Sequence, residues 1–366
     1  MNICRKLSLL PGLLIALALL SSCGGGTVER QALSSEQIES KYASGTVLIK
    51  NTFYYSLSFG GGREFYFTGL DADGSPENLT VDLSELTPAT CFGSGFLISK
   101  EGHIATNSHV ASPSIDVSSA RSTLVAAFNN IAGELNKEIN DINEKLGMLR
   151  LAIIASEDYS ERMEMRNAYD ELSKQRDDAQ EVVNALHSLG SMDYSVSLHS
   201  SIGIAYNDTY VTNMGDFKDC VTVADDPQHD LAILQLKDKK TPEEKHIFRI
   251  PGMRKSADES SEKSEEGKSN KVKVGKKLYM IGYNLGPTLA ITDQGIQAQV
   301  TSGEVTQDTD GSKIMYSIPS LQGSSGSPVL DKYGKLVAVN FAGLSSTQSF
   351  NYGIKISHLK KLYSEL

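Results

Sequence analysis

Gly323-Ser324-Ser325-Gly326-Ser327-Pro328 places a serine inside a glycine-rich turn. A serine hydroxyl is a weak nucleophile at neutral pH. It gains strength beside a base, and imidazole has a suitable pKa. The imidazole needs a carboxylate to hold its tautomer and stabilise its charged form. Charge developing on an attacked carbonyl oxygen needs backbone N–H donors aimed at it. Glycine favours such a loop, because close approach and positive φ suit a residue without a Cβ. On this reading Ser325 is the nucleophile, and the N–H groups of Gly323 and Ser325 form the oxyanion hole. Alone, the hexapeptide is an ordinary polar turn, so its partners must be found elsewhere in the chain.

Two segments upstream supply them. Gly93-Ser94-Gly95-Phe96-Leu97-Ile98 and Gly102-His103-Ile104-Ala105-Thr106-Asn107-Ser108-His109-Val110 read as short strands and lead to His109. Asp226-Pro227-Gln228-His229-Asp230-Leu231-Ala232-Ile233-Leu234 sets Asp230 directly before an apolar strand. Asp225 and Asp226 are alternative acids, although neither directly precedes the strand. His103 reads as a turn residue and His229 as a surface neighbour. The candidate catalytic residues are therefore His109, Asp230 and Ser325.

Thr106-Asn107-Ser108-His109-Val110, Asp230-Leu231-Ala232-Ile233-Leu234 and the serine hexapeptide resemble the three motifs of trypsin-like peptidases, in the chymotrypsin order His, Asp, Ser. The bacterial HtrA-type branch is the nearest in flavour, through Gly275–Gly286 and Asn351–Ile356 as well. The resemblance covers roughly Gly45–Val110 and Tyr206–Leu366. It implies a mainly β protein, a chymotrypsin-like double six-stranded β-barrel, acting as a serine endopeptidase on protein or peptide without cofactor or metal. It also implies a substrate pocket walled by Ile318, Pro319, Ser320, Leu321 and Gln322 on one side and Asn340, Phe341, Ala342 and Gly343 on the other. Neither wall holds an acid, which favours a small or medium apolar side chain over Arg or Lys. Ser324 stands where activation-dependent relatives carry an aspartate, and Ser327 replaces the usual second glycine. No PDZ domain is expected after Leu366.

His109 and Asp230 lie 121 residues apart, against about 45 in the chymotrypsin template. The excess falls in residues 114–195. There Leu124, Phe128, Ile131, Leu135, Ile139, Ile142, Leu146, Leu149 and Ile153 recur at the helical period. Met165, Ala168, Leu172, Ala179, Val182, Leu186 and Leu189 form a second stripe. The spacing predicts a long antiparallel α-helical hairpin inserted between the catalytic His and Asp, each arm about 45 Å long, its stripes buried against each other. Ser156 is the expected cap of the second helix and Gly190 its end. The hairpin is a candidate surface for a partner or for self-association.

The remaining boundaries follow. Arg5 and Lys6 precede an apolar run, Leu9–Leu20, too short to span a bilayer. Leu20-Ser21-Ser22-Cys23 resembles a lipobox. The resemblance implies a signal peptide over 1–22, lipid on Cys23 and attachment to a membrane of the cell envelope, at the outer membrane or a periplasm-facing surface. Residues 23–40 read as a tether, 41–113 with 196–252 as the first barrel, 253–271 as a disordered charged loop, and 272–366 as the second barrel. The net charge of −10 disfavours nucleic acid or anionic lipid headgroups as main partners, because phosphate binding wants clustered Lys and Arg. Cys91 and Cys220 are candidates for a disulfide; the other reading is two small buried hydrophobes. A rival to the enzyme is an inactive peptidase-like scaffold that binds a partner through the hairpin.

Overall fold

The computed structural model describes residues 31–59, 63–115, 117–189, 193–212, 216–253, 273–308, 311–343 and 350–366. The leader, Cys23, Gly190 and, but for Met253, the charged stretch 253–271 lie outside them.

The expected tether ends early. Ser34 and Gln37 form a capping box for helix α1 (Ser35–Tyr42). Ile38 and Tyr42 on its inner face are buried, so this turn belongs to the core rather than to a tether.

Strand β1 (Thr46–Phe59) is followed by β2 (Arg63–Phe67), a small ladder of β3 (Gly69–Leu70) with β4 (Pro76–Glu77), β5 (Ala89–Leu97) and β6 (His103–Thr106). The one-turn helix α2 (Ser108–Ala111) leads into α3 (Val117–Ala155) and α4 (Tyr159–Leu189). Then come β7 (Tyr194–Tyr206), β8 (Lys218–Asp226) and β9 (Leu231–Leu236). The order β1-β5-β6-β9-β8-β7 closes through pairing of β7 with β1, giving a six-stranded antiparallel barrel. Val47, Ile49, Leu97, Ile104, Ile204 and Leu234 fill it.

The second barrel starts at β10 (Lys277–Gly282). After α5 (Pro287–Ala290) and the short β11 (Ile291–Thr292) and β12 (Gly295–Ile296), it adds β13 (Gln299–Asp308), β14 (Lys313–Tyr316), β15 (Pro328–Asp331), β16 (Leu336–Gly343) and β17 (Asn351–Lys355). These close in the order β10-β13-β14-β17-β16-β15. Helix α6 (Ile356–Ser364) ends the chain against β8, β9, β16 and β17, burying Leu359 and Leu362. Two six-stranded barrels with a helical hairpin spliced into the first make the chymotrypsin-like arrangement expected from the sequence.

The hairpin departs from expectation at its root. Asp158, not Ser156, caps α4: its Oδ1 accepts the Ser160 and Glu161 N–H groups at 2.7 and 3.0 Å. The helices do not bury themselves on each other alone. β1 and β7 stay paired as far as Phe59↔Tyr194, well beyond the barrel. With β2 they form a ribbon whose Tyr55, Leu57 and Phe67 pack on Phe128, Ala132, Ile139, Val183 and Leu186. Ala132 and Val183 take the inward positions expected for Ile131 and Val182, which are 43% and 47% exposed. Toward the tip, Met148, Leu151, Ile154 and Tyr159 are largely open to solvent.

The candidate disulfide does not form; both thiols are free. Cys91 on β5 pairs with Asn51, Asn51 with Ile202, and Ile202 with Cys220 on β8. The two cysteines are three strands apart whichever way the barrel is followed. At about 4.8 Å per strand they stand on opposite walls, beyond disulfide reach. Cys220 is a buried hydrophobe, as in the other reading, and Cys91 is half-buried; desolvation pushes Cys91 up to about 11 and Cys220 up to about 12.

Candidate active site

His109 sits on α2, the single turn after β6. Its Nδ1 lies 2.8 Å from Asp230 Oδ2, while its own N–H donates to Asp230 Oδ1 at 2.8 Å. The carboxylate therefore grips both backbone and ring of one residue, which fixes the imidazole's tilt as well as its tautomer. His109 is 47% exposed and Asp230 17%, so the acid is shielded while the base faces outward.

Asp230 adopts φ 52°, in the left-handed region. Such a conformation costs about 1–3 kcal/mol in a side-chain-bearing residue, and sites that tolerate it tend to be functional. Here the surroundings hold it: Asn107 Nδ2 donates to the Asp230 carbonyl at 2.8 Å, and the Asp230 N–H reaches Pro227 O at 3.3 Å. Asn107 is fully buried. The alternative acids are placed elsewhere. Asp226 receives the N–H and Nδ1 of His229 at 3.2 and 2.7 Å, and Asp225 lies within β8 opposite Ala232.

The serine loop comes from the second barrel. Gly323 has φ 93°, and a Cβ there would lie 2.5 Å from Tyr283 O and Gly286 N, so only glycine fits against the end of β10. The loop is held mainly through carbonyls. Gln322 O accepts from Leu285 N at 2.6 Å, and Ser324 O from Asn340 Nδ2 at 2.9 Å. In a planar trans peptide the N–H points opposite its carbonyl. The Gly323 and Ser325 N–H groups therefore turn away from those anchors, and among the described residues neither has an acceptor. Two open amide donors flank Ser324, as an oxyanion hole requires.

Ser94 stitches the barrels together at this point. Its N–H donates to Ser325 O at 2.8 Å and its hydroxyl to Gly323 O at 2.8 Å, while the hydroxyl accepts from Tyr283 N at 2.9 Å. Thr106 Oγ1 then donates to Ser94 O at 2.7 Å, three residues before His109. Ser94 and Asn107 stood inside segments singled out in the sequence, but their partners lie more than 100 residues away, which no local pattern reveals.

The Ser325 hydroxyl donates to Phe341 O at 3.1 Å, and among the described residues no hydrogen bond joins it to His109. The expected pocket walls are only partly available. Ile318 is buried in the second barrel core. Asn340 is committed within the wall, its Nδ2 to Ser320 and Ser324 and its Oδ1 to the Tyr316 hydroxyl at 2.7 Å. Pro319 and Gln322 are exposed, while Ser320, Leu321 and Phe341 are half-buried; the side chains of Ala342 and Gly343 are outside the described set. The missing signal was burial: both Ile318 and Asn340 carry their side chains inward, which sequence position alone does not tell.

A shielded carboxylate on an imidazole in one barrel and a glycine-turn serine with open amide donors in the other, joined through Ser94, are the equipment of a serine-type hydrolase. Residues 178–339 match the family model described as a trypsin-like peptidase domain, a span that includes Asp230 and Ser325 and leaves out His109. No curated protein matches the chain. Among solved structures, the chain is similar to the serine endoprotease from Yersinia pestis, with a TM-score of 0.43 and 13% identity over 92% of this chain and 67% of that one. A likeness that faint carries no weight here. The matched span runs from α4 into β16 and so takes in part of the first barrel and most of the second.

Proposed function

We propose that the protein is a serine endopeptidase of the cell envelope, anchored by lipid on Cys23, that cleaves extracytoplasmic proteins through an acyl-enzyme. Ser325 attacks the scissile carbonyl after its hydroxyl swings from Phe341 O toward His109. His109 takes the proton on Nε2 and returns it to the leaving amine. Asp230 holds the Nδ1 proton and stabilises the imidazolium. The Gly323 and Ser325 amides receive the oxyanion, and water then repeats the attack on the ester. The half-buried Ser320, Leu321 and Phe341 would meet a small or medium apolar side chain.

The left-handed backbone of Asp230 beneath its double grip on His109 is the observation that carries this reading, because Asp226 holds His229 by the same two bonds from ordinary backbone. A fluorophosphonate probe tests it. Labelling of the wild type, abolished in Ser325→Ala, is the expected result. Folded wild type that stays unlabelled would overturn the enzyme and leave the scaffold reading, for which the open apolar tip of the hairpin is the available docking face.

A further inference from the structure

At the end of the second barrel remote from Ser325, this acidic chain gathers cations. A cavity of about 330 Å³ is lined by Lys276, Lys277, Lys332 and Lys335 over the apolar floor of Leu278 and Leu336. Its acid, Asp331, is already engaged: Oδ1 accepts the Tyr333 and Lys335 N–H groups at 2.9 and 3.0 Å. Glu304 stands opposite Lys277 in the ladder, but among the described residues no ion pair reaches any of the four lysines. Lys277 and Lys332 rest over the Tyr279 and Tyr333 rings at 5.0 Å, which leaves their N–H donors free for a ligand. Four lysines lining one concavity with a single acid among them make an anion site.

Two further observations point to the anion's source. The first residues of the described fold are pinned at the cavity rim: Leu33 N–H donates to Lys332 O at 2.8 Å, and the Tyr279 hydroxyl to Leu33 O at 2.9 Å. Cys23 is ten residues upstream of Leu33, a reach of at most about 35 Å. The second concerns direction. Leu278 and Asp331 pair at the cavity, while Gly323 packs on Tyr283 past the other end of β10. Five residues at 3.3–3.4 Å put about 17 Å between the two.

We propose that the lysine cavity binds the phosphate of an anionic phospholipid headgroup, seating the second barrel on the membrane while the serine loop stays at the far end of β10. The proposal rests on the Cys23 anchor for bringing that surface within reach, and its test is kept separate. The full chain carrying Cys23→Ser is sedimented with phosphatidylcholine vesicles, with and without phosphatidylglycerol. Binding should require phosphatidylglycerol. Neutralisation by Lys332→Gln with Lys335→Gln should weaken it about fivefold per lysine, and Lys276→Gln with Lys277→Gln should do the same from the opposite wall. An unchanged thermal midpoint shows that each variant folds. Equal binding to both vesicles, or binding indifferent to both pairs of substitutions, would overturn the proposal. So would protein released from vesicles by inorganic phosphate at concentrations too low to screen charge, which would assign the cavity to a soluble phosphate. Mass spectrometry of the native protein's Cys23 reports the anchor independently.

Discussion

In the first barrel, His109 and Asp230 are held by bonds their own side chains make; in the second, Ser325 is held by carbonyls around it, and its hydroxyl is left to turn. In the proposed mechanism the acid–base half is thus set before substrate arrives, while the nucleophile half has a fixed backbone and an unfixed side chain. Changes to the first half should act through charge and tautomer. Changes to the second should act through the placement of backbone donors.

The largest effect should come from Asp230→Asn. Asparagine tolerates the left-handed conformation, so the exchange removes charge and keeps shape. A loss of about 10⁴ in kcat is expected from the wrong tautomer, with KM little changed, measured on any peptide ester the enzyme turns over. A loss under tenfold would break the contrast, because Asp230 would then be a packing residue.

Ser94→Ala probes the other half. It keeps the N–H bond to Ser325 O but removes both bonds of the hydroxyl, leaving Tyr283 N–H buried without a partner. A stability loss of about 1–3 kcal/mol is expected in urea unfolding, together with a fall in kcat of about 10–100-fold as Gly323 loosens. Thr106→Val removes a bond on the first-barrel side of the same residue and should leave kcat nearer wild type. Equal losses in both would show that the seam is merely structural.

A pH experiment separates packing from chemistry. Burial, with Lys41 adding to it, lowers His246 to about 4, against about 6.5 in an unfolded chain. Between those values the unfolded chain binds a proton that the fold refuses, so stability should fall as pH drops from about 6.5 to about 4 and stay level above. Urea midpoints at pH 7.5 and pH 5 should differ less in His246→Phe than in the wild type. The smallest effect belongs to Ser327, whose buried Oγ has no partner among the described residues. Ser327→Ala should be neutral or stabilise by up to about 1 kcal/mol, with activity kept, as a thermal scan would show.

The residues of the proposed triad could be picked out of the sequence because chemistry restricts residue type. An imidazole, a carboxylate and a glycine-flanked hydroxyl cannot be exchanged for look-alikes, and each came with strand-like flanks. Residues that merely support them obey looser rules. Any buried hydroxyl or amide of suitable reach could do what Ser94 or Asn107 does, so their importance shows only once β5 and β6 are set against the second barrel. The hairpin was legible as two helices and illegible at its root: the helical period marks an apolar stripe but does not name what covers it, and here Tyr55 and Phe67 cover part of it. The Ser34–Gln37 box lies inside a stretch whose composition reads as a tether, so the local capping pattern and the composition point opposite ways. The disulfide reading failed for a topological reason, since two strand cysteines in one barrel can face from opposite walls.

The long ladder between β1 and β7 bears on how the molecule assembles. These strands lie on either side of the insertion, and loop closure over so many residues is slow when the intervening chain is a coil. Helices that double back bring Phe128 alongside Leu186, so the far-flung ends of the insertion are neighbours in the folded molecule. The 135 positions from Phe59 to Tyr194 are thus spanned with the helices folded back on themselves, so the closing pair of the first barrel meets across a short gap in space.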